Sequence, residues 1–359
     1  MRHSLSYLLI CGLALASAGA AAANTFKDPA VTPAPEVPNS VSSAPLLAGA
    51  LSGTRIVAVG LRGVIATSDD QGKTWKQQPS PVSSDLVALS FVGDGKGWAA
   101  GHDGVVLHTE DGGNTWVKQF DGAAACKRMT AYYQQKLDGG DASVQPYIMQ
   151  VKGNCGDGAG DLPWLDVLFV DEHNGYLVGP FGNIMATADG GANWEPWQHR
   201  IDNDRGLHLN QITRINGELY IAAEQGVVFK WDAGKQKFKL HQTPYKGTFF
   251  GITGDSAKLI AFGLRGTAYA SADAGETWTA IETDAGAAVN AAATLADGRV
   301  IMVTQNARVL LSTDAQARQF KPLTVTRPML FADVVPIAPD AVAVFGTAGV
   351  AVESLATGR

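Results

Sequence analysis

One recurring motif restricts what this chain can fold into. It is an apolar run, a Gly-x-x-Gly-like turn, a second apolar run, and then Ser/Thr-x-Asp-x-Gly-x-Thr-Trp. Gly60-Leu61-Arg62-Gly63 leads to Ser68, Asp70, Gly72, Thr74 and Trp75. Gly101-His102-Asp103-Gly104 leads to Thr109, Asp111, Gly113, Thr115 and Trp116. Gly179-Pro180-Phe181-Gly182 leads to Thr187, Asp189, Gly191, Asn193 and Trp194. Gly263-Leu264-Arg265-Gly266 leads to Ser271, Asp273, Gly275, Thr277 and Trp278. Three copies are degraded. Ala223-Glu224-Gln225-Gly226 leads only to Asp232 and Gly234, and Thr304-Gln305-Asn306-Ala307 only to Ser312 and Asp314. Gly346-Thr347-Ala348-Gly349 has no Asp motif after it.

The turns begin at 60, 101, 179, 223, 263, 304 and 346, so the steps are 41, 78, 44, 40, 41 and 42. Five of these six steps match the roughly 40–45 residues of a four-stranded propeller blade. The step of 78 is one blade plus an insertion at about 121–161, which carries neither the turn nor the Asp motif. A single blade cannot bury both its faces, and radial packing about an axis solves this. The expected fold is therefore all-β, a seven-bladed β-propeller over 45–359. A typical blade is predicted at Asp85–Val92, Gly97–Ala100, Val105–Thr109 and Trp116–Gln119. The seventh unit ends after Val350–Leu355, one strand short. The Pro-rich leader, 24–44, precedes the first blade, and residues near Pro35–Ser43 are expected to supply the missing outer strand, since Pro is tolerated at a sheet edge.

The insertion is predicted to be partly helical, because Ala123–Leu137 holds good helix formers and Asp138-Gly139-Gly140-Asp141 stops them. At the start, Met1-Arg2-His3 precedes an apolar stretch from Leu5 to Ala23 that ends in small residues. Residues 1–23 read as a cleavable signal peptide, which implies a periplasmic or secreted protein with no direct membrane insertion after cleavage. Cys11 leaves with that signal, so the mature chain keeps Cys126 and Cys155. Two cysteines in an oxidising compartment predict one disulfide, a staple across the insertion.

Function classes can be excluded on charge and motif. With 28 Lys+Arg against 34 Asp+Glu and no basic run, the chain is a poor nucleic-acid binder. The Asp motif is the Asp-box of sialidases and other propellers. Its logic is a hairpin turn in which Asp accepts backbone N–H groups, Gly takes a positive φ and Trp packs between blades. It lacks the ligand spacing of a calcium loop, so neither metal nor cofactor is expected. The enzyme alternative is a glycosidase or sialidase built on Arg62, Arg265, Arg308, Tyr245 and Tyr269. A glycan- or small-molecule-binding propeller is the third class.

The combined pattern, Val-Gly-x-x-Gly-x-Ile-x-x-Ser-x-Asp-x-Gly-x-Thr-Trp, resembles the Ycf48/Hcf136 family of photosystem II assembly factors over nearly all of 45–355. The Gly-Leu-Arg-Gly turns and Pro163-Trp164-Leu165-Asp166-Val167 share in the likeness. The resemblance implies a non-enzymatic seven-bladed scaffold that binds a protein of a membrane complex. The secretory signal and the insertion place the chain with related exported proteins of non-photosynthetic bacteria. The partner is then a component of an envelope complex or transporter.

In a four-stranded blade the turn between the second and third strands shares a rim with the blade-to-blade connections. Arg62, His102, Asp103, Phe181, Glu224, Gln225, Arg265, Gln305 and Asn306 should therefore ring one face. Pro180 and Leu264 should join them. Arginines on that face would grip carboxylates bidentately.

Overall fold

The computed structural model describes residues 27–156 and 162–355. Alternating apolar runs between Gly turns form seven consecutive antiparallel sheets. Blade 1 is β1 (Leu46–Ser52), β2 (Arg55–Gly60), β3 (Ile65–Ser68) and β4 (Lys76–Gln78). Blade 2 is β5 (Leu86–Val92), β6 (Lys96–Gly101), β7 (Val106–Thr109) and β8 (Val117–Phe120). Blade 3 is β9 (Asp166–Phe169), β10 (Gly175–Val178), β11 (Ile184–Thr187) and β12 (Glu195–Pro196). Blade 4 is β13 (Leu209–Ile215), β14 (Glu218–Ala223), β15 (Val227–Asp232) and β16 (Lys237–Gln242). Blade 5 is β17 (Phe249–Gly254), β18 (Leu259–Gly263), β19 (Ala268–Ser271) and β20 (Thr279–Ile281). Blade 6 is β21 (Val289–Thr294), β22 (Val300–Thr304), β23 (Val309–Ser312) and β24 (Phe320–Leu323). Blade 7 is β25 (Phe331–Ala338), β26 (Ala341–Gly346) and β27 (Gly349–Ser354).

The first strand of each blade faces the axis and neighbours the first strands on either side. Polar side chains on these strands join the blades. Asp166 Oδ2 accepts the Ile212 N–H at 2.9 Å, Gln211 Oε1 accepts that of Ile252 at 2.7 Å, and Asp333 Oδ2 accepts that of Gly49 at 2.9 Å. Each of the two carboxylates also accepts the N–H of the next residue, Val167 or Val334. Burial still prevails over these bonds and pushes Asp166 up to about 7 and Asp333 up to about 6. The second strands are the most buried, as expected of strands flanked on both faces by neighbouring blades.

The leader corrects one expectation. Among the described residues blade 7 has three strands, and Pro35–Ser43 add none to it. Proline removes the N–H groups a strand would need. The leader instead straps the outside of blade 1, where Gln77 clamps it. The Val37 N–H donates to Gln77 Oε1 at 2.8 Å, and Gln77 Nε2 donates to the Pro35 carbonyl at 2.9 Å. Val41–Ser43 then crosses the last turn so closely that a Cβ on Gly349 would lie 1.9 Å from the Ser42 carbonyl oxygen. One consequence is visible at Trp75. Trp116, Trp194 and Trp278 are buried, and Phe120 of the preceding blade's fourth strand stacks on Trp194. Blade 7 has no such strand among the described residues, and Trp75 is only half-buried beside Phe345.

Candidate functional site

Two faces of the ring carry repeated turns. On the lower face the Asp-boxes close upon themselves. Asp70 Oδ1 accepts the Thr74 N–H at 2.8 Å and Oδ2 accepts the Thr74 hydroxyl at 2.6 Å. The Thr74 hydroxyl is the main reason that Asp70 is held down at about 2. Asp273 is held at about 2 by Thr277 in the same way. Gly72 has φ +84°, and a Cβ there would meet Val352 at 2.5 Å, so glycine is required. The indoles of Trp75, Trp116 and Trp278 each donate to the Gly carbonyl three residues back at 3.0 Å. In the third box the Trp194 indole N–H is buried and unpartnered.

On the upper face the turn between second and third strands repeats a backbone shape and varies its side chain. The tip residue has a left-handed conformation in five blades: Arg62 (φ 56°), Asp103 (φ 55°), Phe181 (φ 58°), Gln225 (φ 56°) and Arg265 (φ 62°). A side chain there costs about 1–2 kcal/mol per residue. The following Gly63 has φ +73°, and a Cβ would lie 2.0 Å from the Val82 carbonyl oxygen.

The expected residues do ring this face, but in two groups. Some are tied into it. The Asp103 carboxylate accepts the Ser84 hydroxyl at 2.6 Å, and Glu224 accepts the His208 N–H at 2.8 Å. Asn306 donates to the Ala285 carbonyl at 3.2 Å and accepts the Thr304 hydroxyl at 2.6 Å. Gln225 Oε1 accepts Arg205 Nη1 at 2.7 Å. The others project. His102, Gln305 and Phe181 are exposed. Arg62 and Arg265 are exposed, and among the described residues neither guanidinium has a hydrogen bond or an ion pair. The Arg62 main-chain N–H does donate to Asp85 Oδ1 at 2.7 Å, which fixes the turn under it. Leu61 and Leu264 stand exposed beside the two arginines. Pro180 is buried rather than displayed, because its ring begins the turn on the core side.

The insertion lands on this face. α1 (Gly122–Asp138) exceeds the expected helix slightly, with Asp121 capping it through the Ala124 N–H at 2.9 Å. α2 (Gln145–Cys155) was not expected from the sequence. The Cys126–Cys155 disulfide, with Cα atoms 5.7 Å apart, joins the two helices. Tyr132 donates to Glu195 Oε1 at 2.8 Å, and the Tyr133 hydroxyl donates to Gln198 Oε1 at 3.0 Å, 3.1 Å from His199 Nδ1. Burial holds His199 down at about 4, so its imidazole is neutral in this seam.

Two of the side chains considered for glycoside chemistry are engaged in the frame of the face. Tyr245 donates its hydroxyl to the Leu264 carbonyl at 3.1 Å, and Arg308 donates to the Asp284 carbonyl. Among the described residues no cluster of three or more His, Cys, Asp or Glu could hold a metal ion, and no helix is long and apolar enough to cross a membrane. The signal peptide expected over residues 1–23 lies outside the described residues. Arg205 and the α2 side chains Tyr147 and Gln150 were not singled out from the sequence. The one available signal was the long connection from Trp197 to His208, which carries Arg205.

Comparison with known proteins follows the same division. A family model described as "Photosynthesis system II assembly factor YCF48" matches residues 52–121 and 160–326, and passes over the insertion. The chain is 31% identical over 147 residues to "Photosystem II assembly lipoprotein Ycf48" of Synechococcus sp. (strain CC9902). That match covers 39% of this chain and 43% of the relative, so it spans less than half of that protein's length. Among solved structures it is similar to "YCF48 bound to D1 peptide", with 16% identity and a TM-score of 0.64 over 91% of this chain and 100% of that one. It is also similar to "YCF48 from Cyanidioschyzon merolae", with 16% identity and a TM-score of 0.61 over 89% and 97%. At such identities the structural likeness shows the fold alone.

Proposed function

Because the chain belongs to the photosynthesis system II assembly factor YCF48 family, we propose that it is a non-enzymatic scaffold whose upper face binds an extended acidic segment of a membrane-complex protein. One observation carries this reading. Arg62 and Arg265 are raised on strained turn tips with unpaired guanidinium groups, while carboxylates of the same face, Asp85, Asp103 and Glu224, are tied to local N–H and hydroxyl groups. The face therefore offers cations outward and keeps these anions for itself. An unpaired guanidinium grips a carboxylate through two parallel bonds, and the leucine beside each one adds apolar contact. A solved relative bound to a D1 peptide supports a peptide as the class of ligand.

We also propose export to the periplasm or beyond, on the basis of residues 1–23 and the disulfide. The insertion, absent from the matched segments, supports a branch whose partner is an envelope complex or transporter other than the photosystem.

Affinity capture from the native envelope tests the scaffold reading. Wild-type protein should retain one membrane protein, identified by mass spectrometry. The Arg62→Glu/Arg265→Glu variant should release it with an unchanged melting temperature. Retention by the double variant would remove the arginine face from the mechanism.

A further inference from the structure

The insertion falls between the two segments that match the family model, yet it contributes to the face those segments build. Where α2 meets the third upper turn it leaves a cavity of about 360 Å³. Phe181, Tyr147 and Ile201 supply apolar walls, while Gln150, Asn154 and Arg205 supply polar ones.

Three features describe what fits there. Phe181 is held in the left-handed region with 50% of its surface exposed. A bulky residue stays in that conformation only where its surroundings hold it. Gln150 does so through a 2.6 Å bond from Nε2 to the Phe181 carbonyl, and His208 meets the ring edge-on at 4.8 Å. The cavity is therefore pre-formed, with an aromatic wall turned outward. Second, amide side chains already recognise extended backbone in this molecule, as Gln77 does with the leader. Gln150 Oε1 has no hydrogen bond among the described residues and is free to accept from a peptide N–H. Third, the exposed Arg205 guanidinium bonds only to a neutral amide, that of Gln225, and makes no ion pair with its neighbour Asp204. It has no carboxylate partner among the described residues, as Arg62 and Arg265 have none on the same face.

We infer that the seam between α2 and the third upper turn is a second recognition site, which takes an aromatic side chain of an acidic, extended partner segment. The flanking carboxylate lies against Arg205, and further carboxylates reach the arginines of the other turns. Aromatic walls favour an aromatic guest through stacked or edge-on contact. The inference rests on the reading of the upper face as a partner-binding surface, and it adds the side chain that selects among acidic segments.

The test uses the full chain and two synthetic, fluorescently labelled acidic peptide pools. The pools differ only at one central residue, Phe in one and Ala in the other. By anisotropy the Phe pool should bind about tenfold tighter. Phe181→Gly keeps the left-handed turn comfortable, so the fold survives. It should abolish the Phe preference and leave binding of the Ala pool unchanged. Arg62→Glu/Arg265→Glu should weaken both pools and preserve their ratio. Equal binding of the two pools to wild type, or a Phe preference surviving Phe181→Gly, overturns the seam site and leaves the arginine face standing. Failure of both pools to bind overturns both readings. A dimer of this chain that Phe181→Gly dissolves would name a second copy as the occupant and likewise overturn the inference.

Discussion

The two faces of the ring repeat themselves in opposite ways. The lower face repeats side chains: Ser or Thr, Asp, Gly and Trp recur, and nearly every polar atom among them is bonded within its own box. The upper face repeats a backbone conformation, and its tips differ from blade to blade as Arg, Asp, Phe, Gln and Arg. A motif that satisfies itself has little left for a partner. A constant frame that lifts variable, partly unpaired side chains into water has the arrangement recognition needs. The most conspicuous motif in the sequence therefore spends its side chains on its own turn, and the proposal of partner binding rests on the less conspicuous turns opposite it.

The contrast can be broken where the lower face is strongest. Trp116→Ala should cost about 3–5 kcal/mol in urea unfolding, whereas Trp75→Ala should cost clearly less because Trp75 is half-exposed. Equal losses would refute the account of the missing fourth strand. Next comes the staple. Replacing both cysteines with serine opens a link across 29 residues and should cost roughly 3–4 kcal/mol by loop entropy. Hydrogen exchange should rise first in α1 and α2. A loss under about 1 kcal/mol would mean that the helices hold themselves on the blade without it.

Acidity separates the lower turns from the ring's interior. Asp70 and Asp273 are held at about 2 against an ordinary 3.8. Their stabilisation is present above pH 3.8 and fades as the pH falls towards 2. Asp166 and Asp333 run the other way, since burial favours their protonated forms. Their contribution is full below the ordinary 3.8 and is lost as the pH rises through about 6 and about 7. Melting temperatures across this range should show both limbs. Asp273→Asn should flatten the acid limb, and Asp166→Asn the neutral one. An Asp166→Asn profile parallel to wild type would discard the second assignment. The smallest effect belongs to the upper face: Arg265→Ala should change stability by no more than about 0.5 kcal/mol while weakening partner capture. A larger stability loss would place Arg265 among the structural residues.

Legibility followed the range of the interactions. The turn spacing yields the seven blades, and the second blade's predicted strands agree with β5 to β8 within a residue or two. Ala123–Leu137 anticipates α1 because helix propensity is local. α2 was missed because Gly153 and Asn154 weaken its pattern, although Pro146 marks its start at a position where proline is tolerated. The leader looked like a strand because prolines are compatible with an edge; only the position of Gln77 shows it to be a strap. The Asp166 and Asp333 bridges need to know which inner strands are neighbours. The seam around Phe181 depends on where a 35-residue excursion, from 121 to 155, folds back. Neither is written in any one stretch of chain.

The way the ring closes bears on how it is made. Among the described residues every blade takes its strands from one stretch of chain, and the last meets the first through side chains and the strap, with no strand exchanged between them. A ring that borrows a strand from its far end must leave one blade unfinished until synthesis is complete. Here the first blade has all its strands after Gln78, and each later blade can dock on a finished neighbour in the order in which it emerges. The seventh, three-stranded among the described residues, comes last, and by then the leader that crosses its turn has long been in place.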